Sequence, residues 1–142
     1  MTTETGISLS QPMQAFLEEV QPAIVGTVRA DGTVQMNPIW YDFRDGLLWL
    51  NPASSRAWGR KLEPGVPVTL IMVDPSNQWR WAQIQGEVVA KTREGGEEHI
   101  DRLSRRYLGR DYADHREDDP RLLVSVRPMR VIQSSIEDEE AA

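Results

Sequence analysis

The sequence predicts a mainly β domain, a six-stranded antiparallel barrel with short flanking helices, on three observations. Six β-rich runs are separated by turns at intervals of roughly ten residues. Two of those turns, Asp31-Gly32 and Asp45-Gly46, are dipeptides that suit tight hairpins because both residues tolerate positive φ. No G-x-G-x-x-G loop follows a strand, which argues against a parallel dinucleotide-binding sheet.

The elements follow in order. Ser10 and Pro12, then Met13, Phe16, Leu17 and Val20 at spacing i, i+3, i+4, i+7, predict a capped amphipathic helix ending near Pro22, whose apolar stripe plugs one end of the sheet. Ile24 to Arg29, Thr33 to Trp40 and Leu47 to Leu50 predict three strands joined in a meander by the two Asp-Gly turns. Asn51 to Ser55 reads as a loop opening a short basic helix that stops before Pro64-Gly65. Val66 to Val73 is the fourth strand and Trp79 to Val89 a long fifth, with Ala82, Ile84 and Gly86 on one face and Trp79, Trp81, Gln83 and Gln85 on the other. A second helix runs from about Gly95 to Leu108, acidic at its start and basic at its end as the helix dipole favours. Leu122 to Ile132 closes the sheet, with Pro128 acceptable only at an edge or a bulge.

At 142 residues, with 39% hydrophobic and 27% charged residues, the chain fits one domain with a real core. Residues 1–9 are expected to be a flexible N-terminus, 10–135 the barrel, and 136–142 an acidic flexible tail. No run of eighteen apolar residues and no signal-like N-terminus exist, so a cytoplasmic protein without a membrane span is expected. Zero cysteines exclude thiol chemistry and cysteine metal sites. Much of the formal charge of −6 sits in Glu137 to Glu140, leaving a nearly neutral body that argues against nucleic-acid binding. An oligonucleotide barrel with Trp79 and Trp81 as stacking platforms is correspondingly disfavoured.

Ser54-Ser55-Arg56-x-x-x-Arg60-Lys61 joins hydroxyls, a helix start and three cations, the combination an anionic phosphate needs; the same residues fit a solvated basic helix face. Asn37-Pro38-Ile39-Trp40-Tyr41 places a proline late in a strand, freeing backbone groups to face a planar heterocycle; the counterpart reading is an edge strand with its aromatics in the core. Trp79-Arg80-Trp81 suits a ring cap or a subunit interface. His99 and His115 are expected on the surface, and the acidic cluster Asp114 to Asp119 lacks the order of a calcium loop. With no nucleophile, metal set or acid/base dyad, the chemistry has to come from a bound cofactor.

In order along the chain, Val25-Gly26-Thr27-Val28-Arg29-x-Asp31-Gly32, Asn37-Pro38-Ile39-Trp40-Tyr41-Asp42, Asn51, Arg56, Arg60-Lys61-Leu62, Asp74-Pro75-x-Asn77-x-x-Arg80, Gln85-Gly86, and His99-Ile100-Asp101-Arg102-Leu103 leading to Arg106-Tyr107-Leu108-Gly109 form a pattern. Together they resemble the split-barrel flavin and deazaflavin reductase superfamily related to pyridoxamine-phosphate oxidase, over roughly Phe16 to Ile132. Within it, the small actinobacterial branch that uses the deazaflavin coenzyme F-420 is the most similar. The resemblance implies a split β-barrel, with Ser55, Arg56, Arg60 and Lys61 facing the cofactor phosphate and Asn37, Pro38, Ile39 and Trp40 against the ring. It adds Asn51, Asn77, Trp79 and Arg80 as candidate contacts, and a homodimer with cofactor sites at the subunit interface. No catalytic residue and no metal ligand is nominated. Ala57 with Trp58, and Trp81, depart from the family pattern and argue against pyridoxamine-phosphate oxidation in particular. The expected activity is hydride transfer between reduced F-420 and a conjugated or heteroaromatic small molecule, F-420 being preferred to FMN because its phosphodiester and anionic tail gain more from several cations. The alternatives are a non-catalytic carrier of F-420, FMN or haem, and an FMN-dependent oxidase or reductase.

Overall fold

The computed structural model describes residues 6–137; the expectations for residues 1–5 and 138–142 lie outside the described residues. The order is α1 (Gln11–Glu18), β1 (Ala23–Val28), β2 (Val34–Ile39), β3 (Tyr41–Arg44), β4 (Leu47–Leu50), α2 (Ala57–Arg60), β5 (Pro67–Asp74), β6 (Asn77–Thr92), α3 (Gly96–Leu108) and β7 (Leu123–Ser134). All seven strands form one antiparallel sheet in the order β2-β1-β5-β6-β7-β4-β3.

The mainly β class and the antiparallel sheet match expectation, but there are seven strands rather than six. The run ending at Trp40 continues as a separate strand, β3, which the sequence reading left out. The consequence is topological. The edge strands β2 and β3 are consecutive in the chain and joined by Trp40 alone, so the sheet must curl until its two edges nearly meet. The expected three-strand meander is therefore replaced: Leu47–Leu50 pairs with β3 and β7, not with β2. A polar alternation that looked continuous from Thr33 to Trp40 hides this corner, because the chain changes sheet edge without a Gly or a turn dipeptide.

Local chemistry supports each element. Ser10 caps α1 by accepting from the Met13 N–H at 3.2 Å, and Met13, Phe16 and Leu17 are fully buried in one end of the curl. Val20, expected in that stripe, lies beyond the helix and is exposed. Asp45 and Gly46 both take positive φ, 57° and 75°, as the tight β3–β4 hairpin requires. Ala82, Ile84 and Val88 face the core from β6, as alternation predicts. Pro128 sits opposite Gly86 where the β6–β7 register shifts, so the missing N–H falls at a bulge. A Cβ on Gly86 would lie 2.5 Å from Val126 Cγ1, which fixes glycine at this crossing.

Arg106 ties α3 to the end of α1. Its guanidinium donates to the Tyr41 carbonyl at 3.0 Å and to the Glu18 and Glu19 carbonyls at 2.9 and 2.6 Å, covering helix-end acceptors that α1 cannot satisfy internally. This clamp holds α3 across the mouth of the curl and so sets one wall of the groove described next.

Candidate functional site

A cavity of about 750 Å³ opens where the two sheet edges approach each other. Its walls come from the α1–β1 connection (Gln21), the end of β2 (Asn37, Ile39, Trp40), the β4–α2 loop (Asn51, Trp58) and the inner face of α3 (Leu103, Tyr107). Trp40 and Tyr107 stack at 5.3 Å between ring centroids and 8° between planes, giving one flat aromatic wall. Arg56, Trp58, Tyr112 and Arg121 also line an adjoining chamber of about 470 Å³ that holds Ser55, Asp114, Arg116 and Asp119. The site thus has an apolar room beside a charged vestibule, and Arg56 stands at the junction.

Three buried side-chain oxygens around the larger room have no partner among the described residues: Gln21 Oε1, Asn37 Oδ1 and Asn51 Oδ1. Native interiors rarely leave buried acceptors bare, so each is an acceptor for an ordered water or a ligand donor. No side-chain hydrogen bond or ion pair ties the Arg56 guanidinium among the described residues, whereas Arg121 donates to the Asn51 carbonyl at 3.1 Å and to Tyr112 Oη at 2.6 Å. The Tyr112 hydroxyl accepts from Arg121 and keeps its own O–H for another acceptor.

The sequence-nominated residues divide. Asn37, Pro38, Ile39, Trp40, Asn51 and Arg56 come together in the larger cavity. Ser55 lies in the vestibule, but with Ser54 it holds a carboxylate of this chain. The Ser54 and Ser55 hydroxyls donate to Asp119 at 3.0 and 2.7 Å, and the Ser55 N–H donates at 2.9 Å. Hydrogen bonds from Ser55 hold the Asp119 carboxyl below the usual carboxylate range. The segment read as an anion cradle does hold an anion. Arg60 donates to the Ser55 carbonyl at 2.8 Å and Lys61 to Gln35 Oε1 at 3.3 Å, and neither lines the cavity. Asn77 caps a turn by accepting from the Trp79 N–H. Arg80 is engaged by Glu19 and Asp74, both at 2.9 Å, over the Phe16 ring, and Trp79 is 68% exposed; all three lie away from the cavity.

His99 corrects the sequence reading: it is buried, not on the surface. Its Nε2 lies 2.8 Å from Asp42 Oδ1 and its Nδ1 3.1 Å from Asn51 Nδ2. The reading took the residue after Glu98 for solvent-facing, but His99, Ile100 and Leu103 share the face that packs on the sheet. Burial alone would push the Asp42 carboxyl up; hydrogen bonds from His99 and Arg44 outweigh it and hold it below the usual carboxylate range. His115 is exposed as expected, bridging Glu97 at 2.6 Å and Asp101 at 2.9 Å. Tyr107, Tyr112 and Arg121 were missed as groove residues; only the Arg106-Tyr107 pair lay within the motif order that signalled the family.

No helix among the described residues is long and apolar enough to cross a membrane. No group of three or more His, Asp or Glu among them could hold a metal ion.

The comparisons with known proteins agree with this architecture. A solved F420 reductase matches with a TM-score of 0.72 at 25% identity, covering 84% of this chain and 94% of that one. The HupZ protein of Group A Streptococcus matches at 0.66 and 18% identity, over 92% and 98% of the two chains. A FAD and heme binding protein from Mycobacterium smegmatis matches at 0.59 and 19% identity, over 94% and 77%. The two more distant likenesses show the fold alone. No curated protein matches the chain. The family model described as pyridoxamine 5'-phosphate oxidase matches residues 9–135, and with nearly the whole chain inside it, this protein belongs to that split-barrel family.

Proposed function

We propose that the groove binds the deazaflavin coenzyme F-420 and that the protein is an oxidoreductase passing hydride between reduced F-420 and a conjugated or heteroaromatic small molecule. The observation that carries this is the pairing of an aromatic-walled room, edged by unpartnered acceptors, with an unpartnered arginine at the entrance to a charged vestibule. A planar ring system with imide-type N–H donors fits the first part and a phosphodiester the second. Asn37, Trp40, Asn51 and Tyr107 would hold the ring, and Arg56 the phosphate. Arg60 and Lys61, just outside the vestibule, extend the positive field toward an anionic tail. Asp114 and Asp119 oppose it less than their charges suggest, being paired with Arg116 and with Ser54 and Ser55.

When bound, the deazaflavin supplies the hydride chemistry. The chain's own contribution is to orient the ring, exclude water and keep an acceptor at near-attack distance. Among the described residues, the larger cavity's lining holds no Asp, Glu, His or Lys, so a proton for the product comes from solvent or from the Tyr112 hydroxyl. That lining also favours a second reading, a non-catalytic carrier of F-420, FMN or haem. Fluorescence titration with F-420 and, separately, FMN tests the assignment: tighter F-420 binding is expected, and no binding of either rejects it. Turnover of reduced F-420 with a panel of enones and heteroaromatics separates enzyme from carrier.

We place the protein in the cytoplasm as a homodimer whose partner completes the groove. In support, Val28, Val34 and Met36 project from the outer face of β1 and β2, Met36 being 64% exposed, and Ile71 and Ile132 continue the same face across β5 and β7. Gln83 separates Ile71 from Ile132 on this face, but exposed apolar side chains grouped on the β1–β2 edge suit an association surface. A Val34→Asp, Met36→Asp double variant is expected to sediment as a monomer and to bind F-420 more weakly. A double variant that still sediments as a dimer would reject this face.

A further inference from the structure

Asn51 is a cavity-lining amide whose orientation can be worked out from its neighbours. Its Nδ2 lies 2.8 Å from the Gly96 carbonyl oxygen and 3.1 Å from His99 Nδ1. A carbonyl only accepts, so the nitrogen of the amide must face Gly96 and the amide cannot be flipped. The second amide hydrogen then points at His99 Nδ1, which must be bare. The ring proton is left on Nε2, where it donates to Asp42 Oδ1 at 2.8 Å. Asp42 is held in turn by Arg44 Nε at 2.9 Å and Arg102 Nε at 3.0 Å on its other oxygen. His99 and Asp42 are each 4% exposed and Asn51 6%, so solvent does not compete for these bonds. With both hydrogens spent toward α3, the planar amide turns Oδ1 the opposite way, buried and without a partner, in a residue that lines the cavity.

We propose that Asp42 and His99 are a positioning pair that locks Asn51 with its carbonyl oxygen as a fixed acceptor of the cavity, so that the ligand must bring an N–H or O–H to that edge. The requirement on the ligand rests on the flavin-type reading above; the lock itself does not. The neutral Nε2–H tautomer is the only one compatible with the Gly96 and Asn51 geometry, and Asp42 selects it by accepting that proton. Without His99 the second amide hydrogen loses its acceptor and the Asn51 side chain can turn.

The lock is tested on ligand-free protein by ¹⁵N NMR of the histidine ring, where a protonated Nε2 and a bare Nδ1 are expected for His99. The opposite tautomer overturns the proposal. The ligand requirement is tested with FMN, or with F-420 if only that binds, each against its N3-methyl derivative, which lacks the ring imide hydrogen. The native protein is expected to prefer the unmethylated ligand by at least about 10-fold. His99→Phe, which fills the space without accepting or donating, brings that ratio close to one. His99→Gln, which can accept from Asn51 and donate to Asp42, restores most of it. A His99→Phe variant that folds, as judged by circular dichroism, and keeps the full ratio overturns the proposal, since steric exclusion of the methyl group would survive that change. If neither cofactor binds, the flavin-type reading falls, and the lock stands or falls on the tautomer.

Discussion

Arg56→Glu is expected to weaken F-420 binding by about 100-fold or more, the largest single effect on the proposed site. Arg56 lines both chambers and has no side-chain partner among the described residues, so its full charge is available to an anion. A hydrogen bond to a charged group contributes about 1.5–3 kcal/mol, or roughly 10- to 150-fold in affinity, and reversing the charge adds repulsion to that loss. Arg60→Ala with Lys61→Ala should cost less, about threefold, because those cations lie outside the lining and act only through a screened field. Isothermal titration at two salt concentrations checks both. Raising salt should shrink the double variant's effect far more than that of Arg56→Glu. Equal losses in the two variants would move the phosphate to the helix that carries Arg60.

The difference between those cations also shows how far the sequence could be read. Strand runs, the two Asp-Gly hairpins and the bulge at Pro128 follow from local chemistry, and local chemistry is what a sequence displays. The corner at Trp40 is set by which strands meet at the sheet edges, a long-range matter with no turn residue to announce it. Within the basic segment, composition suggested an anion cradle, but it could not say that Ser54 and Ser55 meet Asp119 of this chain or that Arg56 is the cation that lines the cavity. That depends on α2 being a single turn, which sends Arg60 back to the Ser55 carbonyl. Asp119, whose carboxylate meets Ser54 and Ser55, stands 64 residues from Ser55 and could not be linked to it by spacing. His99 was misplaced for a similar reason: its partners Asp42 and Asn51 lie on β3 and just beyond β4, and only the fold brings them under α3.

Asp42→Ala is expected to lower stability by about 3 kcal/mol, the largest effect of a single polar side chain. Removing one partner of a buried charged cluster costs about 3–5 kcal/mol because the remaining groups stay behind without compensation. Here the lower end applies, since Arg44 and Arg102 are partly exposed and can regain water, while the His99 Nε2–H cannot. For a chain of this size the melting temperature should fall by about 10 °C. The effect depends on pH with a definite sign. The Asp42 carboxyl is held below its unfolded value of about 3.9, so its contribution is fully present above that pH and disappears as pH falls through the lower folded value. The gap between native protein and variant, followed by thermal melting, should therefore stay constant from neutral pH to about pH 5 and close only in stronger acid. A gap that changed between pH 8 and pH 6 would show that a group other than the Asp42 carboxyl governs the cluster.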